Sequence, residues 1–230
     1  MKTILAVTGL NFSFERNRAV LQNIEFQVAE GECLGIVGGN GAGKSTLLWC
    51  LLGLLKASGS IRFCGEAVSK GALARIGMVF QNPEDQLFMP TLINDVALPL
   101  VNRGLGISEA QRMALDRLDK LGLRDLAGRP ATMLSIGERK RASIAAALIA
   151  SPELLLLDEP TAELDGRSAR QLADLLAQLA VTTIVTSHHL DFLRTITSRT
   201  VVLSKGRIIA DGPTPDILAN QSLLQAADLI

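Results

Sequence analysis

Residues 38–46 read GGNGAGKST, lodged between the apolar run CLGIV (Cys33 to Val37) and the leucine-rich TLLWCLLGLL. A strand that passes into a helix through G-x-x-x-x-G-K-[ST] needs glycine for its bends. It commits the chain to an α/β architecture in which the helix N-terminus faces whatever the loop encloses. Gly38, Gly41 and Gly43 let backbone N–H groups curl round phosphate oxygens, and Asn40, Ala42 and Thr46 belong to the same cradle. Lys44 is spaced to reach the β- and γ-phosphates of a nucleotide, and the Ser45 hydroxyl to ligate Mg²⁺.

Composition fits a globular chain. Among 230 residues 48% are apolar and 20% charged, enough for one sizeable core, either a single α/β domain or one with an appended lobe. Lys plus Arg equals Asp plus Glu at 23 each, so no overall field recruits nucleic acid and any anion must be held by a local site. Cys33, Cys50 and Cys64 are an odd set without C-x-x-C spacing, which reads as free core thiols in a reducing compartment. The opening MKTILAVTGL has too short an apolar run for a leader and passes into the alternating NFSFER, which suits a strand. No apolar stretch reaches the roughly 18 residues of a bilayer span, so the chain is expected to be soluble by itself.

Hydrophobic periodicity predicts strands over 4–14, 23–29, 33–37, 61–64, 75–80, 154–158, 182–187 and 200–210. It predicts helices over 43–55, 92–101, 109–121, 136–149, 167–179 and 189–196. CLGIV, LLLLD and TTIVTS are continuous apolar runs, as parallel strands covered on both faces require. The first two strands and TVVLSKGRIIADG read as antiparallel, the latter a hairpin turning at Lys205-Gly206. Between Pro83 and Pro130 the pattern turns helical, with Ser108 to Gln111 as a capping box, and reads as an inserted lobe. There are no internal repeats.

The second chemical signal is LLLLDEP, residues 154–160. Four leucines bury a central strand and deliver Asp158 and Glu159 to its carboxyl end, where ligands sit in open α/β sheets. Asp158 is placed to hold Mg²⁺ through water and Glu159 to polarise an attacking water.

In order, GGNGAGKST, VFQNPEDQLF, LSIGE, LLLLDEPTAELD and VTSHHLD resemble the motifs of ATP-binding-cassette (ABC) transporter ATPase subunits, over about Phe12 to Leu218. The resemblance implies one ABC ATPase domain over residues 1–230. Residues 1–82 and 151–230 would form a P-loop α/β catalytic core with an antiparallel β subdomain, and about 83–150 a helical subdomain. It implies ATP and Mg²⁺ as ligands. It makes Gln81 the switch glutamine that senses Mg²⁺ and the γ-phosphate, His188 the switch histidine on the γ-phosphate, and Asp165 part of the loop linking two active sites. Phe14 occupies the position of the aromatic that stacks on adenine; as an aromatic in an alternating strand it also reads as core.

LSIGE opens a helix with a Ser cap but carries Gly137 in its first turn. In the family two subunits pair head to tail, and Ser135 and Gly137 would face the γ-phosphate held by the partner. Ile136, Glu138 and His189 depart from the usual residues. The segment VFQNPEDQLF is similar to the energy-coupling-factor branch and the allied cobalt and nickel importers. This implies an importer ATPase at the cytoplasmic face of the membrane, bound to a second ATPase subunit and a transmembrane coupling protein, with a separate membrane protein capturing a vitamin or metal ion. Leu87 and Phe88 are then expected as exposed apolar residues beside a docking groove. A soluble ABC ATPase acting on DNA or the ribosome is the competing class, and an exporter ATPase a third; charge balance gives no nucleic-acid footprint.

Overall fold

The computed structural model describes residues 2–14 and 19–230; Glu15 and Arg16 of NFSFER lie outside them. The first third runs β1 (Thr3–Ser13), β2 (Ala19–Ala29), β3 (Cys33–Val37), α1 (Lys44–Leu51), β4 (Ser58–Phe63), β5 (Glu66–Ala67), α2 (Lys70–Leu73) and β6 (Ile76–Val79). Three helices follow, α3 (Leu92–Val101), α4 (Ile107–Lys120) and α5 (Ile136–Leu148). The chain then returns through β7 (Leu154–Asp158), α6 (Gly166–Ala177), β8 (Thr182–Thr186), α7 (Leu190–Ile196), β9 (Arg199–Ser204) and β10 (Arg207–Pro213), ending in α8 (Thr214–Ala219) and α9 (Gln221–Ala226).

Two sheets result. One is antiparallel, in the order β2-β1-β4-β5; the other runs β10-β9-β3-β8-β7-β6. Within the second, β9, β3, β8, β7 and β6 are mutually parallel and β10 turns back antiparallel on β9. All five residues of β7 and of β8 are buried, the physical reason their sequences run apolar or Thr without alternation. The β9–β10 reversal uses left-handed backbone at Lys205 and Gly206, the geometry of a two-residue hairpin whose twist matches its strands.

Buried side chains form three clusters. Leu5, Ile24, Leu34 and Phe63 belong to one between the two sheets, Leu155, Val185, Leu193 and Val202 to one on the other face of the parallel strands, and Leu92, Val96, Ala114 and Ala142 to one within α3–α5. α4 joins this last cluster by Ala110, Ala114 and Leu118, spaced four apart on one helical stripe.

The mixed α/β fold class is the one expected from sequence; several local expectations need correction. The helix over 43–55 is shorter, because Gly53 adopts left-handed backbone (φ 65°) and Leu54 N–H bonds back to Trp49 O. The Ser108–Gln111 capping box is absent: α4 starts at Ile107, Gly106 O already accepts from Ala110 N–H, and Gln111 Nε2 donates to Asn94 Oδ1. Leu87 is not a surface residue, being 5% exposed inside the helical cluster, whereas its neighbour Phe88 is 67% exposed. The two C-terminal helices were not anticipated; each has six residues, too short for a periodic signal. All three cysteines are free, and burial pushes the Cys33 thiol up to about 12 and the Cys50 thiol up to about 11.

Candidate nucleotide-binding and catalytic site

β3 ends at Val37, and the loop beyond it fits only because glycines occupy its close approaches. A Cβ on Gly38 would lie 2.2 Å from Leu203 O, and Gly43, at φ 107°, would place one 2.9 Å from Leu21 Cδ2. Gly39 N–H donates to Ala227 O (3.0 Å), and Gly206 N–H to Ala42 O (3.1 Å), so the hairpin turn and the C-terminal segment both brace the loop. Lys44, 8% exposed, donates Nζ to Gly38 O (2.8 Å) and Gly39 O (3.3 Å). The first-turn amides of α1, from Lys44 through Thr46, precede any intrahelical acceptor and leave donors at the loop mouth.

Opposite the loop stands the end of β7. Asp158 is 2% exposed, and its Oδ1 accepts from the Thr186 hydroxyl at 2.7 Å. Burial pushes its carboxyl above the usual range, while hydrogen bonds from the Ser45 and Thr186 hydroxyls pull the other way. Glu159 then takes left-handed backbone (φ 43°), a conformation costly for a residue with a side chain. Its N–H is held by Thr186 O and Oγ1 together (3.1 and 3.0 Å). This turn directs the carboxylate into the cleft, where Oε1 sits 3.3 Å from Lys44 Nζ and Oε2 sits 2.9 Å from His188 Nδ1.

The loop after β6 carries Gln81 to the same place. The main cleft, about 690 Å³, is lined by Phe14, Asn40 to Thr46, Gln81, Glu159 and His188. A neighbouring polar cleft of about 430 Å³ is shared by Ser45, Gln81 and Asp158. Phe14 is 58% exposed at the rim and meets Phe12 edge-to-face, 4.9 Å between ring centroids, so it is not a core residue.

Ser135, Gly137 and Asp165 form a second, separate group on the surface. Ser135 and Glu138 make a full capping box: Glu138 Oε2 accepts from Ser135 N–H (2.7 Å) and Ser135 Oγ from Glu138 N–H (3.4 Å). The Glu that departs from the family's usual residue therefore has a local structural use. A Cβ on Gly137 would meet nothing nearer than Ser168 Oγ at 3.7 Å, so nothing within its own chain requires glycine there. Asp165 caps α6 through Ser168 N–H (2.8 Å), and the nearness of Ser168 to Gly137 sets the starts of α5 and α6 side by side.

Sequence reasoning missed three contributors. Thr186 ties Asp158 to Glu159, Lys140 reaches Gln81 O from α5, and the Lys205-Gly206 turn lines the main cleft. Thr186 could have been sought as the polar residue ending an otherwise apolar strand; for Lys140, amid Arg139 and Arg141, no signal separated a buried cation from a solvated one.

The donor set suits a hard divalent ion. The Ser45 hydroxyl, the Asp158 carboxylate and the Gln81 amide oxygen line one cleft, where a cation would give the partly desolvated Asp158 a counter-charge. Among the described residues there is no group of three or more His, Cys, Asp or Glu side chains that could hold a metal.

A mostly parallel sheet, a glycine phosphate loop after β3 and paired carboxylates at the end of β7, one strand removed, define a P-loop nucleotide hydrolase with an inserted helical unit. The family model described as ABC transporter matches residues 21–162, and the chain belongs to that family: it is an ABC-type ATP hydrolase, the ATPase subunit of a transporter. It is 37% identical over 239 residues to the energy-coupling factor transporter ATP-binding protein EcfA of Methanosphaera stadtmanae, covering 100% of this chain and 86% of that one. It is similar to the structure of cbiO1 from Clostridium perfringens, part of the ABC transporter complex cbiONQ (TM-score 0.85, 32% identity, 100% and 96% coverage). It also matches the dimeric post-hydrolysis state of the ATP-binding cassette MJ0796 bound to ADP and Pi (TM-score 0.82, 25% identity, 92% and 99% coverage).

Proposed function

We propose that this subunit drives an energy-coupling-factor type importer of a vitamin or of cobalt or nickel ions. It works as one of two ATPases paired head to tail on the cytoplasmic face of the membrane. The pair grips a transmembrane coupling protein, and a separate membrane protein captures the substrate. The observation that carries the hydrolytic part is the buried Glu159 held between Lys44 and His188. ATP entering the cleft gives Lys44 a stronger partner in its phosphates and frees Glu159 Oε1 to orient the attacking water; His188 steadies the other oxygen and faces the γ-phosphate. Mg²⁺, held by Ser45, Asp158 and Gln81, would supply charge neutralisation on the phosphates. Phe14 stacks on adenine, and Ser135, Gly137 and Asp165 meet the nucleotide held by the partner.

The energy-coupling-factor part is supported by the names of two relatives, EcfA and cbiO1, and the docking of a membrane partner by a groove. About 320 Å³ lies open between α3, α5 and β6, with Phe88, Leu98 and Pro99 on its apolar wall. Asp95, 3% exposed, lines it; its Oδ1 accepts from Phe88 and Met89 N–H (2.8 Å each), while Oδ2 is buried and has no partner among the described residues. An inserted helix with apolar residues and one donor would fill it. Among the described residues no helix is long and apolar enough to cross a membrane, so the membrane-spanning part falls to partners.

The test is purification of the chain with its bound membrane proteins, followed by ATP-driven uptake into vesicles. Recovery of a coupling protein and a capture protein, with inward transport of a vitamin or of Co²⁺ or Ni²⁺, is expected. Recovery of an exporter's membrane subunit overturns the importer reading, and activity tied to DNA or ribosomes overturns the transport partner altogether.

A further inference from the structure

α5 is fastened to the loop that carries Gln81 at successive points. Lys140, one turn beyond Gly137, is 1% exposed and donates Nζ to Gln81 O at 2.5 Å. Gln86 bridges the same two elements, accepting from Phe80 N–H (3.4 Å) and donating Nε2 to Ser143 O (2.9 Å). Arg139 Nη1 stands 3.8 Å from Glu84 Oε1.

A sealed lysine is unusual, since an ammonium out of water needs compensation. Among the described residues Gln81 O is its one hydrogen-bond partner, and no carboxylate lies within ion-pair distance of Nζ. Burial lowers its pKa, and the fields of Glu163, Asp158 and Glu159 oppose that through space. The buried ammonium thus fixes a backbone carbonyl and no side chain. An apolar residue of similar length would serve packing at least as well.

We propose that Lys140 is the positioning residue for Gln81, holding the switch glutamine to α5 so that the helix start and the glutamine move as one body. The proposal rests on the roles given above to Gln81 and to the head-to-tail partner. Its consequence is a short mechanical link between two nucleotide sites. Ser135 and Gly137 meet the partner's nucleotide, Lys140 lies one turn behind them, and Gln81 enters this subunit's own cleft. Engagement of one site then sets the reach of Gln81 into the other.

Three full-length variants, assembled as the native ATPase is, test it: Lys140→Met, which keeps length but has no donor, Lys140→Gln, which keeps a donor, and Gln81→Ala. Lys140→Met is expected to melt no lower than the parent and to raise amide exchange at residues 81–86 about fivefold without nucleotide. Its kcat should fall about tenfold with KM for ATP changed less than about threefold, and Lys140→Gln should recover kcat to within about threefold of the parent. Parent-like kcat in Lys140→Met, equal impairment of the Gln variant, unchanged exchange, or a kcat loss accompanied by a lower melting point overturns the proposal. Should Gln81→Ala hydrolyse ATP like the parent, the role of Gln81 itself fails. Should Gln81→Ala be impaired while Lys140→Met is not, the Lys140 proposal falls alone.

Discussion

Lys44 Nζ lies 3.3 Å from Glu159 Oε1, with both side chains more than nine-tenths out of solvent. The residue assigned to phosphate and the residue assigned to water thus neutralise each other until nucleotide arrives. The pair keeps two buried charges compensated and, in the role proposed for Glu159, keeps the carboxylate from acting before nucleotide binds. On the roles proposed above, binding and activation become the same event, because the ammonium that turns to phosphate is the one that releases the base.

In Glu159→Gln the amide keeps the shape but loses the charge that opposes Lys44 and orients water. ATP affinity should be kept or improved, hydrolysis should drop by about 10²–10⁴-fold, and the closed dimer should accumulate. Rapid-quench turnover alongside size-exclusion with ATP and Mg²⁺ measures both; parent-like turnover contradicts the role.

At Gly137 a new Cβ would make only ordinary contacts within the chain, none nearer than 3.7 Å, so Gly137→Asp should fold normally. Beside a partner's γ-phosphate, at about 4 Å and an effective dielectric near 20, the added charge costs roughly 4 kcal/mol per charge pair. Monomer affinity for ATP should change little and ATP-driven dimerisation of the Glu159→Gln background should fail. Ile136→Gly should be much milder. Sedimentation of the double variants decides it, and undiminished pairing of Gly137→Asp reduces the helix start to a cap.

Thr186 is wholly buried and serves Asp158 with its proton and Glu159 N–H with its lone pair. Thr186→Val preserves volume and removes both. It should cost about 1–3 kcal/mol in nucleotide-free urea unfolding, because the Asp158 carboxylate loses a buried donor.

Adjacent positions 87 and 88 should behave oppositely. Leu87→Asp puts an unpaired charge into the α3–α5 cluster and should destabilise the fold outright. Phe88→Asp should leave folding and ATP binding intact while abolishing co-purification of the membrane partner. Parallel melting curves and pull-downs compare the two; a Phe88→Asp variant that still captures its partner removes the groove from the docking site.

The Glu138 carboxyl is held below its ordinary range, first by Ser135 N–H and then by the Ser135 hydroxyl. A depressed folded pKa stabilises above the unfolded pKa and loses that contribution as pH falls through the folded one. The stability gap between parent and Glu138→Ala should therefore be full at neutral pH and shrink below about pH 4, near the unfolded value. Denaturant midpoints across that range check the sign.

Strands covered on both faces were the most legible: β3 and β7 have the limits their apolar runs predict, and α3 the limits its helical pattern predicts. Their patterns record burial alone, and burial is what residue type reports. Legibility failed where a partner in space decided the outcome. Ser108 to Gln111 has the capping spelling but Gly106 had already begun the helix, whereas Ser135 to Glu138, with the same spelling, forms the box. Leu87 and Phe88 are equally apolar, and only the packing of α3 to α5 separates them. The motif residues could be placed at strand ends and helix starts, but their division between a deep cleft and a separate surface group depends on strand order, which no local spacing contains.

That strand order also governs when the site can exist. β3, which feeds the phosphate loop, is paired on both sides with strands near the far end of the sequence, β8 and β9, and Gly39 is latched by Ala227. During synthesis the loop leaves the ribosome early and must wait for its walls. Until they emerge, β3 presents two open edges, an invitation to wrong pairing that a growing chain must be shielded from. A chain cut before β8 carries the whole phosphate motif but lacks both strands that flank β3.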